Sequence, residues 1–192
     1  MEKIDILSLG FSELEEEILA MGEKKFRAKQ LFEWLHKKKV TEISQCTNLS
    51  AQFIKALDEK FCLNNLKIKK RLVSSIDNTV KYLYELSDGE RVETVLMSYA
   101  HGDSLCISTQ VGCKMGCAFC ASTKAGFVRN LTPAEMLLQI YATERDSGRA
   151  VESLVLMGIG EPLDNYDNVL KFLQLLSSPE GRNMSLRHVS LS

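Results

Sequence analysis

The sequence predicts an α/β protein in three parts. These are a small helical domain over residues 1–72, a β-hairpin linker over 73–103, and the opening half of a β–α barrel over 104–192. Three patterns carry this reading. Apolar residues recur at helical spacing through the first third. Runs rich in Val, Ile, Leu and Tyr then flank Asp88-Gly89, a tight-turn pair. From Ser104 onward, short apolar runs alternate with amphipathic stretches. That is the pattern of parallel sheets and barrels, whose chemistry sits at the C-terminal ends of the strands.

Taken in order, Ser12 and Glu15 read as a capping box opening the first helix, with Leu14, Ile18, Leu19 and Met21 behind it and Gly22 as the stop. A second helix spans about 26–38, its apolar face made by Ala28, Leu31, Phe32 and Leu35. A third follows Ser50, with Phe53, Ile54, Leu57 and Phe61 inward. Residues 68–76, 79–86 and 91–99 read as strands. A strand over 105–111 leads into a loop over 112–131 that carries Gly, Cys and Lys. Thr132-Pro133-Ala134-Glu135 is a second capping box, with Pro at the first helical position. Residues 153–157 form a short apolar strand, 169–176 a helix and 188–191 a third strand.

Composition narrows the class. The chain has 192 residues, 45% hydrophobic and 26% charged, which excludes disordered and fibrous proteins. No apolar run approaches the roughly 20 residues of a membrane span. The acidic N-terminus has no uninterrupted apolar segment of the kind a secretory signal needs, so a cytoplasmic protein is expected. In that compartment the six cysteines point to a metal or redox site rather than to a disulfide framework. The net charge of -1 conceals an uneven distribution. Residues 24–71 hold thirteen Lys and Arg against four acidic residues, while residues 1–23 and 73–192 are both net acidic. A basic block of that size is either a solvated surface or a footprint for phosphate contacts.

Two motifs carry chemistry. Cys113-Lys114-Met115-Gly116-Cys117-Ala118-Phe119-Cys120 places three thiols within eight residues, after a strand. A structural zinc site would need a fourth ligand, for which Cys106 or His101 is available. A four-iron, four-sulfur cluster would use three thiolates and leave one iron open. Gly158-Ile159-Gly160-Glu161-Pro162 follows the next strand. There glycines admit close approach to the backbone, and Glu161 offers a carboxylate to an ammonium group.

The C-x3-C-x2-C spacing resembles the fingerprint of the radical S-adenosylmethionine superfamily, in which a Gly-Glu-Pro motif stands in the same place. The likeness extends further. Residues 26–35 (Phe-Arg-Ala-Lys-Gln-Leu-Phe-Glu-Trp-Leu), 91–96 (Arg-Val-Glu-Thr-Val-Leu), 106–113, 126–131 and 157–163 resemble the RlmN/Cfr family of radical S-adenosylmethionine RNA adenosine methyltransferases. The resemblance implies a partial (β/α)6 barrel with a [4Fe-4S] cluster on Cys113, Cys117 and Cys120. It also implies S-adenosylmethionine held by Gly160, Glu161 and Ser192.

Glu93 then matches the proton acceptor. Cys106 matches the cysteine that forms a disulfide with a methyl-carrying cysteine to release product. The substrates implied are 23S rRNA and, in the RlmN branch, certain tRNAs, methylated at adenine C2 rather than at the C8 of the Cfr branch. Flavodoxin or ferredoxin would supply the electron to a monomeric enzyme. The methyl-carrying cysteine of such enzymes lies well beyond position 192, so this chain is expected to hold the first half of the barrel and to be inactive alone. Two other classes remain beside this one: a different radical enzyme, such as a thioether-forming one, and a non-catalytic zinc-binding RNA module. Trp34 could stack on a base or pack in the core, and Arg129 could orient the cysteine loop or touch RNA. Cys46, Cys62, His36 and His188 match no motif.

Overall fold

The computed structural model describes residues 3–100 and 102–192. His101, the possible fourth zinc ligand, lies outside the described residues. In chain order the elements are β1 (Ile4–Asp5), α1 (Phe11–Ala20), α2 (Phe26–His36), α3 (Ala51–Lys60), β2 (Phe61–Cys62), β3 (Lys67–Val73), β4 (Val80–Glu85), β5 (Arg91–Tyr99), β6 (Gly102–Cys106), β7 (Gln110–Gly112), β8 (Phe127–Asn130), α4 (Pro133–Ser147), β9 (Ser153–Leu156), α5 (Tyr166–Ser177) and β10 (Val189–Leu191). They form two units, one of residues 1–64 with 171–184, the other of 65–170 with 185–192. No helix among the described residues is long and apolar enough to cross a membrane.

The helical unit follows its periodicity except at Ile54, read as inward but only half-buried. Ala28, Leu31, Phe32 and Leu35 of α2 are buried, as are Phe53, Leu57 and Phe61 in and after α3. Phe11 meets Phe32 edge-on, with ring centroids 5.4 Å apart. The Ser50 hydroxyl accepts from the Phe53 N–H at 3.3 Å and caps α3. The cap of α1 differs from the expectation. Its helix begins at Phe11, and it is Glu13, three residues after Gly10, whose carboxylate reaches back to the Gly10 N–H at 2.6 Å. Glu15 instead pairs with Lys25 at 2.7 Å. The stretch 171–184 completes this unit: Lys171 pairs with Glu13, and Gly181 lies so close to Phe32 that a Cβ there would sit 2.9 Å from the ring. Trp34 neither stacks openly nor is buried. Its indole N–H donates to Asn48 Oδ1 at 2.6 Å, and the Lys38 ammonium covers its ring at 3.3 Å.

The second unit is organised by one six-stranded sheet of order β10-β9-β6-β5-β4-β3. β6, β9 and β10 are parallel, and β3 to β6 form an antiparallel meander. The hairpin segment is therefore continuous with the β–α part: β5 pairs with β6 from Val95↔Cys106 to Tyr99↔Gly102. Every residue of the edge strand β3 is exposed. Its Lys67, Lys69, Lys70 and Arg71 place part of the basic block on a sheet edge, where charge also deters pairing with another chain. One sheet face is covered by α4. Tyr82 donates to Asp146 at 2.7 Å, Tyr84 shares a hydrogen bond with Thr143 at 2.9 Å, and Thr94 donates to Gln139 at 2.8 Å. The Thr132–Glu135 capping box forms as expected, and Gly148 ends α4 in the left-handed region.

Candidate functional site

The expected strand over 105–111 is two strands in different sheets. β6 stops at Cys106, and the chain then crosses the C-terminal end of β9 before starting β7. Its backbone partners change at that point. Ile107 N–H donates to Val155 O at 3.0 Å and Ile107 O accepts from Gly158 N–H at 3.0 Å. Thr109 and Gln110 N–H both donate to Ile159 O, at 2.9 and 3.1 Å. Likewise the loop over 112–131 is partly regular: β7 and β8 form a short antiparallel ribbon with the cysteine loop at its tip. The polar run Ser108-Thr109-Gln110 marks the break, which the backbone makes by exchanging its hydrogen-bond partners.

Buried polar side chains fasten this crossing. Gln139 Oε1 accepts from Ser108 N–H at 2.9 Å, and its Nε2 donates to Ser108 O at 2.9 Å. Ser108 Oγ donates to Glu93 O at 2.7 Å and accepts from Ile159 N–H at 3.0 Å. Asn165 Nδ2 donates to Thr109 O at 2.8 Å and to Leu131 O at 2.9 Å. Gln110 accepts from Glu161 N–H at 2.9 Å and donates to Asp164 at 2.7 Å and Asn130 at 2.9 Å. None of these four residues stood out in the sequence. Their partners lie up to 56 positions away, and only the run of short polar residues at 108–110 hinted at them.

The two glycines of the second motif serve this crossing directly. A Cβ on Gly158 would stand 2.6 Å from Ile107 O, and one on Gly160, at φ +108, 2.6 Å from Gln110 Cβ. Close backbone packing therefore requires both glycines. Glu161 folds one carboxylate oxygen onto the Leu163 N–H at 3.0 Å, capping the turn Pro162–Asn165.

The residues expected to act lie at one end of the sheet. Val95, Cys106, Val155 and Ser190 form one row across β5, β6, β9 and β10. Together with Met97, Met157, Arg187 and His188 they line an open concavity of about 730 Å3. Glu93 stands two residues from Val95, hence on the same face, at the C-terminal end of its neighbour β6. It pairs with Lys81 at 2.8 Å. Burial pushes the Cys106 thiol above the usual cysteine range, and the Met157 N–H, facing its sulfur, only partly opposes this. Ser192 follows β10 at the same end and is exposed.

Cys113 is buried, Cys117 exposed and Cys120 between the two. Hydrogen bonds from Ser122 hold the Cys120 thiol below its ordinary range. Gly112 and Gly116, at φ +71 and +72, make the turns that bend this loop, and a Cβ on Gly112 would stand 1.8 Å from Gly126 O. None of the six cysteines is in a disulfide. Among the described residues no three His, Cys, Asp or Glu side chains converge as a formed metal site. As a donor set, three thiols within eight residues on a loop fit a soft centre such as an iron–sulfur cluster. Arg129 holds that loop's return strand. It meets Glu135 through two nitrogens at 2.9 and 2.8 Å and Asp88 at 2.7 Å. Beyond these carboxylates it donates to Asn130 O at 3.1 Å, so its donors are engaged in positioning the ribbon.

Comparison with known proteins places this geometry. Residues 4–63 match the family model described as the ribosomal RNA large subunit methyltransferase N-terminal domain. Over 192 residues the chain is 50% identical to the probable dual-specificity RNA methyltransferase RlmN of Alkaliphilus metalliredigens, covering 100% of this chain and 54% of that protein. The RlmN of Lachnoclostridium phytofermentans is also 50% identical, again with 54% of its length covered. The crystal structure of a radical SAM methyltransferase from Sphaerobacter thermophilus superposes with a TM-score of 0.91 at 34% identity, over 98% of this chain and 56% of that one. The chain thus spans about half the length of the curated relatives it matches. Along its whole length it is similar to about half of each of these RlmN proteins.

Proposed function

We propose that this chain is the cofactor-anchoring half of a radical S-adenosylmethionine methyltransferase that methylates adenine C2 in 23S rRNA and in certain tRNAs. The observation that supports this reading is that Glu93, Cys106, the Gly-Glu-Pro turn and Ser192 lie at one end of the six-stranded sheet, with the β7–β8 ribbon that carries the three thiols tied to that turn through Gln110. Cys113, Cys117 and Cys120 would hold a [4Fe-4S] cluster. When bound, the cluster would supply the electron for reductive cleavage of S-adenosylmethionine, one-electron chemistry suited to a carbon too electron-poor for polar methyl transfer.

The chain's own residues divide the remaining work. Glu161 accepts from the cofactor's ammonium, beside Gly160, and Ser192 adds a hydroxyl. Glu93 takes up the adenine ring proton. Cys106, its thiol shifted upward by burial, is the partner for the methyl-carrying cysteine that the family resemblance places beyond residue 192. The basic residues of 24–71 meet RNA phosphates, a flavodoxin or ferredoxin donates the electron, and the enzyme works as a monomer in the cytoplasm. A thioether-forming radical enzyme would share the thiol loop but would have no use for the Glu93–Cys106 pair.

The test is anaerobic reconstitution of the 192-residue chain with iron and sulfide, followed by metal analysis and equilibrium dialysis with S-adenosylmethionine. The reading expects about four irons per chain and saturable cofactor binding, both lost in Cys117→Ala. Tight zinc binding with no iron–sulfide chromophore would instead favour a zinc module.

A further inference from the structure

Gln110 is fully buried, and its side chain contacts the Glu161 turn at two points and the return strand of the thiol loop at a third. Its Oε1 accepts from Glu161 N–H at 2.9 Å. Its Nε2 donates to Asp164 Oδ2 at 2.7 Å and to Asn130 Oδ1 at 2.9 Å. Asp164 in turn receives the Lys114 ammonium on its other oxygen at 2.9 Å, and Lys114 is the residue immediately after Cys113. Asn130 ends β8, the strand by which the thiol loop returns. Gly160 completes the arrangement, because any side chain there would strike Gln110.

We infer that Gln110 is a positioning residue that sets the Glu161 turn relative to the thiol loop. The backbone at Glu161 is held by an amide whose other end is bonded to Asn130 on the loop's return strand and, through Asp164, linked to Lys114 beside Cys113. A hydrogen-bonded contact of this kind, saturated and dry, has one geometry. An error in it would move the carboxylate away from whatever the thiols hold. The inference rests on the proposed function for its consequence in cofactor binding, but not for the coupling itself.

Two variants separate positioning from bulk stability. Gln110→Ala removes all three contacts. Gln110→Glu keeps the shape and the acceptor for Glu161 N–H, but faces the Asp164 carboxylate with a second one. The double variant Gln110→Glu/Asp164→Asn reverses donor and acceptor across the same contact and restores it.

Hydrogen exchange by mass spectrometry on the metal-free chain should show residues 159–165 exchanging about tenfold faster in Gln110→Ala and Gln110→Glu. Protection should return in the double variant, with β3–β5 unchanged throughout. On chains reconstituted with iron and sulfide, equal iron content should accompany roughly tenfold weaker S-adenosylmethionine binding in the two single variants, recovered in the double. Unchanged exchange and affinity in Gln110→Ala would overturn the assignment. So would failure of the double variant to recover either. If exchange responds but the parent chain binds no S-adenosylmethionine, the positioning role stands and the proposed function falls.

Discussion

Gln139 offers the sharpest test of how the site end of the sheet is held. It is fully buried on α4 and joins two elements by three contacts: Thr94 Oγ1 at 2.8 Å, Ser108 N–H at 2.9 Å and Ser108 O at 2.9 Å. Gln139→Met keeps length and flexibility while deleting every polar contact. Three groups then lose their partners where water has no room to replace them. A buried group left unsatisfied costs about 1–3 kcal/mol, and the Thr94 hydroxyl can partly recover by rotating, so the sum is roughly 3–5 kcal/mol. Equilibrium urea unfolding followed by far-ultraviolet circular dichroism measures this, with hydrogen exchange assigning the loss to β5, α4 and residues 107–110. A double-mutant cycle adds an internal check. Thr94→Val should cost about 1 kcal/mol alone and close to nothing once Gln139 is Met, because its partner is already gone. A Gln139→Met chain within 1 kcal/mol of the parent, or strictly additive costs, would refute the reasoning.

Three further outcomes follow from the same geometry. Burial holds His36 neutral with a pKa of about 3 against an ordinary 6.5, so the unfolded chain protonates first. Its contribution is complete above pH 6.5 and is lost as pH falls toward 3, at about 1.4 kcal/mol per pH unit. Urea titrations at pH 7, 6 and 5 should show that slope in the parent and a shallower one in His36→Leu. Gly160→Ala forces a side chain into left-handed backbone and onto Gln110, so Tm should fall by several degrees, as for a loss of about 2 kcal/mol or more. Arg129→Lys retains the charge but not the paired contact with Glu135. It should cost about 1–2 kcal/mol in urea unfolding, about half the loss in Arg129→Ala.

What the sequence disclosed tracks the range of the interactions. The Thr132–Glu135 capping box and the Gly148 stop are local, and both stand where spacing puts them. At α1 locality misled, because Ser12 and Glu15 imitate a capping box two residues downstream of the one made by Glu13 and the Gly10 N–H. The single strand read over 105–111 fails for a different reason. Past Cys106 the backbone bonds to the Gly-Glu-Pro turn and to Gln139, and nothing within the segment reports those partners. The same limit hid Gln110 and Asn165. Gly158 and Gly160, read as openings for a cofactor, are in addition required by the packing of Ile107 and Gln110. The thiol motif was plain in spacing, but its three sulfurs differ in burial, which spacing does not encode.

The helical unit is not one stretch of chain, and that bears on how the protein is made. Residues 1–64 emerge from the ribosome before 171–184, the segment whose Gly181 packs on Phe32 and His36. About a hundred residues of the sheet unit are translated between them. At roughly 5–20 residues per second, that interval lasts about 5–20 seconds. During it the side of α2 at Phe32 and His36 lacks the Gly181 segment that packs on it. Nascent chains stalled between residues 64 and 170 should therefore be the most sensitive to protease and the most dependent on chaperones. An autonomous fragment of the first 64 residues would lack that segment permanently.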